Sequence, residues 1–473
     1  MKSSDPLLQA WEKTLLRKRD APAIFANNGE VLRRFGDVEE RARDLQRNLE
    51  VFPKGTVLAV QIGNHEDWPS IFISCLRRHL IVLPLEQSIG EHQRHEALEI
   101  CKVRAVVSAF PASDSPEIIQ LRNPDSPPDW REKPPNLLKL TSGTTSTPRA
   151  IRFRSQQLLA DCNQICDTMG ISDVDLNFGV IPISHSYGFS NLLTPLIARG
   201  VSMVISRDRT PRAILADLGR SKATVFPGMP VFYQAFCEME RVPALPNLRL
   251  CISAGAPLPV ATAKRFQQKF HLPIHSFYGA SECGGICYDR EAENDNEGVV
   301  GKAMNSVNLE LVDPEGSASQ IRVRSAAVAD GYFPHPDEEK LGNGIFIPDD
   351  LLARSGSRFK MVGRISDVIN VAGKKVNPAE VEAHLLRFPG VREAVVFGRE
   401  SVLRNEEVAA CVVAAPDVSE NDLLQFCRGV LSSWQVPKRI FMVDAMPVNE
   451  RGKISRRELS QRFSTGRERS PLP

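Results

Sequence analysis

Between Leu140 and Ala150 the chain carries Thr141-Ser142-Gly143-Thr144-Thr145-Ser146-Thr147-Pro148-Arg149, four threonines and two serines around one glycine, closed by an arginine. Hydroxyl donors and inward-turned backbone N–H groups suit a polyphosphate, and Arg149 adds a fixed positive charge. Other nucleotide motifs do not compete. The Gly-Lys pairs at Gly301-Lys302, Gly373-Lys374 and Gly452-Lys453 lack the following Ser or Thr of a P-loop, and no G-x-G-x-x-G follows a strand. Gly279-Ala280-Ser281-Glu282-Cys283 lacks the closing glycine of a nucleophile elbow, which removes support for serine-hydrolase chemistry.

The elements around this loop follow from hydrophobic pattern. Short apolar runs such as Val57–Val60 alternate with helical patterns from Thr56 to Ser108, and the alternation resumes after residue 137. Strands are expected at Val201–Ile205, Ala223–Phe226 and Leu248–Ser253, with helices at Pro211–Gly219 and Pro230–Met239. Seven prolines between Pro111 and Pro135 predict an exposed connection without packed structure. After about Glu297 the texture becomes β-rich, with alternation over Val307–Leu311 and Gln320–Arg324. The last hundred or so residues mix strands (394–397, 409–414, 440–443) with helices (378–386, 421–431).

These observations predict an α/β fold of layered, mainly parallel sheets. The expected division is a large N-terminal domain over residues 1–364, with a β-rich subdomain at about 297–362, and a small mobile α+β domain over 365–473.

Composition narrows the function classes. The 473 residues are 42% hydrophobic and 25% charged with a net charge of +2, so nothing draws the chain to nucleic acid. No apolar run approaches the roughly 18 residues of a membrane span, and Met1–Asp20 has no signal-peptide core. A soluble, cytoplasmic enzyme is expected. Ten scattered cysteines, including the pairs Cys162/Cys166 and Cys283/Cys287, show no metal-ligand spacing and predict reduced, buried thiols.

Four more segments accompany the loop in order: Ser253-Ala254-Gly255-Ala256-Pro257-Leu258, Ser276–Glu282 (SFYGASE), Gly363-Arg364-Ile365-Ser366-Asp367, and Pro447–Arg456 (PVNERGKISR). Together they resemble the adenylate-forming superfamily, which holds acyl-CoA synthetases, nonribosomal peptide synthetase adenylation domains and luciferases. The resemblance runs from the Phe35-Gly36-Asp37 region to Leu459. It implies a two-step reaction: a carboxylate attacks the α-phosphorus of ATP to give acyl-AMP and pyrophosphate, and a thiol then displaces AMP. Positioned cations and aligned anions are what such a step requires.

By the same resemblance Lys453 is the catalytic lysine, and Glu282 the acid that holds Mg²⁺ with help from the Thr144 hydroxyl. Thr141, Ser142, Gly143, Thr144, Thr145 and Arg149 would hold ATP phosphates; Gly255, Ala256, Pro257 and Tyr278 would frame adenine, with Gly279, Ala280 and Ser281 also among the ATP- or AMP-binding residues; Asp350 would meet the ribose and Arg364 the nucleotide. Ile181-Pro182-Ile183-Ser184-His185-Ser186-Tyr187-Gly188-Phe189 resembles the corner of acyl- and aryl-acid ligases, placing His185, Phe189 and Gly279 at the acyl group, with His185 among the catalytic residues. The Phe-Asp pair of amino-acid-activating relatives is missing, so an amino acid is disfavoured.

Departures are specific. Ser146 stands in place of glycine, Arg149 and Lys375 exchange lysine and arginine relative to the family, Ser366 is a neutral hinge residue, and Pro348-Asp349 replaces the usual Thr-Gly before Asp350. Three functions remain open: a ligase using CoA, a ligase loading the phosphopantetheine of an acyl carrier protein in trans, and a degenerate nucleotide-binding homologue.

Overall fold

The computed structural model describes residues 4–109, 116–121, 127–130, 134–141, 149–208, 210–314, 318–372, 374–401, 405–447 and 456–464. Contacts divide the chain into two compact units. The first comprises Met1–Val312, Ile321–Pro348 and Arg354–Lys360, and the second Asp313–Gln320, Asp349–Ala353 and Met361–Pro473.

Two sheets organise the first unit. In one, Val57–Gln61 lies between Ile81–Pro84 and Val103–Ser108, all parallel, with helices Trp68–Arg77 and Glu91–Ile100 as the crossovers. Apolar side chains on both faces of these strands explain why they read as continuous runs rather than alternations. Leu137–Leu140 joins Ile81–Pro84 in parallel, then pairs antiparallel with Ala150–Phe153. Gly331–Phe333 completes this edge, with Tyr332 opposite Ile151.

The other sheet is also parallel at its centre. Pro22–Ala26, Ser202–Ile205, Leu176–Gly179, Val225–Gly228, Leu250–Ser253 and Ile274–Ala280 follow one another across it. Helices Pro211–Ser221, Pro230–Glu238 and Val260–Phe270 pack its hydrophobic core around Phe226, Tyr233, Phe236 and Phe266. The strands and helices expected from pattern fall within two residues of these positions, since buried strands and capped helices carry strong local signals. The sheet then turns antiparallel through Gly284–Tyr288 and Val299–Ala303, where the β-rich texture begins.

The second unit contains an antiparallel pair, Val391–Ser401 with Asn405–Ala414, and Arg439–Met442 runs parallel to the latter. Helices Pro378–Leu385 and Glu420–Arg428 supply Val381, Leu385 and Leu423 to a core with Val396, Val408 and Val412.

The proline-rich stretch needs correction. Glu117–Gln120 is a strand antiparallel to Val103–Ser108, and Trp130 is buried, its Nε1 donating to Gly55 O at 2.9 Å and its ring 4.9 Å from that of Phe333. Prolines outside Glu117–Gln120 leave its backbone donors free to extend an edge, so proline density does not exclude pairing there.

All ten cysteines are free and buried. Burial pushes several of these thiols up from the ordinary 9.0, to about 12 for Cys75 and Cys101 and about 11 for Cys427. The native state therefore keeps protons that the unfolded chain releases above pH 9, and stability must fall as pH rises past that point. Each such thiol contributes a loss of about 1.4 kcal/mol per pH unit. Denaturant midpoints measured from pH 9 to 11 should decline, and a disulfide-exchange thiol reagent should label no cysteine until the chain unfolds.

Candidate active site

Thr141 and Arg149 close the hydroxyl-rich loop at its base. Thr141 N donates to Arg149 O at 2.9 Å, and Thr141 Oγ1 donates to the same oxygen at 3.1 Å. The antiparallel ladder behind them, Leu137–Leu140 against Ala150–Phe153, dictates this closure. Ser142, Gly143, Thr144, Thr145 and Ser146 lie outside the described residues.

Arg149 then meets a residue absent from the motif reading. Its guanidinium carbon is 4.3 Å from the centroid of the Tyr332 ring, and Nη1 is 3.7 Å from Asp337 Oδ2. Tyr332 Oη donates to Glu282 Oε1 at 3.1 Å. Burial, reinforced by the Glu282 carboxylate, pushes the Tyr332 phenol well above its ordinary value, so it stays a donor at physiological pH. The sequence signal was available: Tyr332 lies in Gly331-Tyr332-Phe333-Pro334, an aromatic strand bounded by turn residues.

Glu282 itself sits in the turn between Ile274–Ala280 and Gly284–Tyr288. A side chain at Gly279 would put Cβ 2.6 Å from Gly284 O, so the turn can close this tightly only with glycine there. Among the described residues no group of three or more His, Cys, Asp or Glu is arranged to hold a metal. A single carboxylate nevertheless fits Mg²⁺, which retains waters and takes phosphate oxygens.

Behind the loop lies a buried charge. Lys139, only 5% exposed, places its ammonium 4.6 Å from the Phe153 centroid and 5.6 Å from that of Phe189. Burial lowers its pKa from 10.5 to about 8, partly offset by Asp161 and Glu282. Asp161, on helix Ser155–Met169, accepts from Gly285 N at 3.0 Å, and burial raises its pKa.

The corner at 179–189 is held by an asparagine with no motif to announce it. Buried Asn64 donates to Gly179 O at 2.9 Å and Ile181 O at 3.2 Å, and accepts from Ile183 N at 2.9 Å. Beyond this brace His185 Nε2 lies 3.1 Å from Glu86 Oε2. Phe189 is buried, edge-on to Phe72 with centroids 5.2 Å apart. Tyr187 Oη donates to Gly228 O at 3.3 Å, tying the corner to the second sheet.

Gly255, Ala256 and Pro257 are exposed just past strand Leu250–Ser253; Gly255 has φ +86°, a conformation that favours glycine. Tyr278 is buried opposite Cys287, with a register shift before Gly279, and Ala280 and Ser281 follow half-buried. In the second unit Arg364 Nε donates to Asp350 Oδ1 at 2.6 Å. Ser366 lies in the one-turn helix Ile365–Asp367, whose Asp367 pairs with Arg456 Nη1 at 2.6 Å. Arg456 also donates to Glu382 Oε1 at 2.8 Å and Val396 O at 2.9 Å, while Lys453 lies outside the described residues.

Arg149, Tyr332 and Glu282, brought together at the edge of a layered sheet, fit an adenylate-forming enzyme. The chain belongs to this class: residues 11–333 match the AMP-binding enzyme family, and residues 380–453 match the AMP-binding enzyme C-terminal domain. A probable CoA ligase from Humulus lupulus is 28% identical over 347 residues, 69% of this chain and 66% of that protein. The oxalate–CoA ligase of Arabidopsis thaliana is 25% identical over 91% of this chain and 93% of its own length. A feruloyl-CoA synthase from Amycolatopsis is 26% identical, covering 94% and 97%.

Among solved structures, ATP-bound MatB from Rhodopseudomonas palustris shares the fold with a TM-score of 0.83, at 22% identity over 96% of this chain and 98% of that one. o-Succinylbenzoate CoA synthetase from Bacillus subtilis, bound to its acyl-adenylate, gives 0.80 at 21% identity over 95% and 97%. The chain is accordingly an AMP-forming acid–thiol ligase by family.

Lys139 yields a test of the buried charge. Unfolded lysine keeps its proton to about pH 10.5 while native Lys139 loses it near 8, so this residue makes the fold gain stability as pH climbs between those values. The full contribution is on the order of 3 kcal/mol. The difference in unfolding free energy between wild type and Lys139→Met should grow in favour of wild type across that window; a pH-independent difference would contradict it.

Proposed function

We propose that this chain couples a carboxylic acid to CoA in two steps, with acyl-AMP as the intermediate and pyrophosphate as the first product. The family match along both units supports the reaction class. The observation that carries the site is the contact of Arg149 and Glu282 with one tyrosine at the base of the phosphate loop.

In this reading Thr141, Ser142, Gly143, Thr144, Thr145 and Arg149 hold the triphosphate. Glu282, with Thr144, would hold Mg²⁺, which when bound offsets phosphate charge. The exposed Gly255-Ala256-Pro257 segment and the Tyr278–Ser281 strand end frame adenine, where small residues permit close approach and the tyrosine offers a ring face. Asp350 and Arg364, hydrogen-bonded to each other in the free protein, turn to the ribose and the nucleotide. His185, oriented by Glu86, lies with Phe189 and Gly279 at the acyl group. Lys453 bridges the carboxylate and the α-phosphate as the two anions are brought together.

The chain then divides functionally at 364/365, with Ser366 as the hinge between adenylation and thiol transfer. Oxalate, long-chain fatty acids and ferulate are acids named for relatives. Their spread in length and polarity makes a short dicarboxylate, a long aliphatic acid and an aryl-propenoate the natural test panel. The ten buried free thiols support a reducing, cytoplasmic setting.

Pyrophosphate release should occur with at least one acid of the panel and fall about 10²-fold or more in Lys453→Ala, the scale of removing one transition-state donor. Release unaffected by that substitution, or absent with every acid, would overturn the reading. Addition of CoA should convert the adenylate to a thioester; conversion only by a phosphopantetheinylated carrier protein would move the acceptor assignment to the carrier.

A further inference from the structure

We propose that Tyr332 is a positioning residue that sets the phosphate-gripping cation and the metal-facing carboxylate at a fixed separation, serving Arg149 with its ring face and Glu282 with its hydroxyl. The inference rests on the ligase reading for the identity of the ligand, and on geometry for the rest. Arg149 lies 4.3 Å from the ring centroid, and the phenol reaches Glu282 Oε1 at 3.1 Å. Two groups 133 positions apart in sequence (282 against 149) are thereby joined through one rigid side chain.

Three restraints keep that ring in place. Its backbone is registered opposite Ile151 in the ladder with Ala150–Arg152. The preceding Asp330 takes a two-pronged hydrogen bond from Arg154, at 2.6 Å from Nε and 2.7 Å from Nη2, and a third from Gln157 Nε2 at 2.8 Å. Ala329 N donates to Glu282 O at 2.9 Å, so the backbone of the tyrosine segment is pinned to the residue whose carboxylate the tyrosine orients. Tyr332 is 3% exposed, and a phenol with only two side-chain torsions loses little entropy in such a pocket.

The ring also explains why arginine serves at 149, where the family usually has lysine. A planar guanidinium can lie flat on an aromatic face and still present N–H groups sideways to phosphate, whereas an ammonium has no plane to stack. Asp337, 3.7 Å from Nη1, holds the other edge. Arg149 is consequently pre-oriented before nucleotide arrives, and its fork directs donors rather than only charge.

The two roles separate by substitution. Tyr332→Phe keeps the platform and removes the hydroxyl; Tyr332→Leu removes both. Calorimetry on the full chain with ATP, with and without Mg²⁺, and with AMP reads them independently of turnover. In Tyr332→Phe the gain in ATP affinity on adding Mg²⁺ should shrink about 10-fold or more, as for other residues that orient metal ligands. ATP binding without metal, and AMP binding, should match wild type. In Tyr332→Leu metal-free ATP binding should also fall, by about 2- to 30-fold for a lost cation–π contact, with AMP unchanged.

If Tyr332→Leu does not fold, Arg149→Met reads the stack from its other side: it must weaken metal-free ATP binding and leave the Mg²⁺ gain intact. The proposal is overturned if Tyr332→Phe keeps the full Mg²⁺ gain, if the two tyrosine variants behave alike, or if AMP binding drops in step with ATP. A chain that binds ATP this way yet releases no pyrophosphate with any acid would remove the ligase reading and leave the role of Tyr332 standing.

Discussion

The antiparallel pairing of Gly331–Phe333 with Ala150–Arg152 is the constraint on which the site depends. It adds a late segment of the chain to the strand that follows Arg149, and it does so in the one register that turns Tyr332 toward Arg149 and Glu282. A slip of one residue would point the tyrosine to the opposite face and part the arginine from its platform. The bidentate Arg154–Asp330 pair guards against that slip, because a planar guanidinium matches a carboxylate in one orientation only.

Around this edge the protein accepts unfavourable burial. Lys139 has its ammonium over two aromatic rings rather than in water, and the acids that face it are Asp161 and Glu282. Asp161 is anchored by Gly285 N, one step beyond the turn that carries Glu282. Buried charges of this kind cost free energy unless balanced, and Asp161 and Glu282 offset the burial of Lys139 only in part. The corner at 179–189 is made differently: neutral Asn64 satisfies three backbone groups from 179 to 183 and leaves His185 to be oriented by Glu86.

Much of this was legible in the residues alone. Parallel strands at Val225–Gly228 and Leu250–Ser253, and the helices between them, announce themselves because their burial is set by nearest neighbours in sequence. Arg149 and Glu282 could be named from the sequence, the first from the hydroxyl-rich run that it closes and the second from the family resemblance. Tyr332 offered only a strand signal and Asn64 none, since each acts through partners at least 50 residues away in sequence, brought close by sheet register or sheet packing. The Pro111–Pro135 segment misled for a related reason: proline density reports local torsion, while Glu117–Gln120 pairs because the edge of Val103–Ser108 was open to it. The Asp350–Arg364 contact in the second unit likewise joins two residues that the family resemblance could name singly but not connect.

The central claim is that a carboxylate oxygen attacks the α-phosphorus of ATP and leaves with AMP. Turnover of an ¹⁸O-carboxylate substrate, with mass spectrometry of the nucleotide product, follows that oxygen directly. The account predicts one labelled oxygen in the AMP phosphate and none in pyrophosphate. Label in inorganic phosphate with ADP as the nucleotide product, or AMP formed without label, would contradict it.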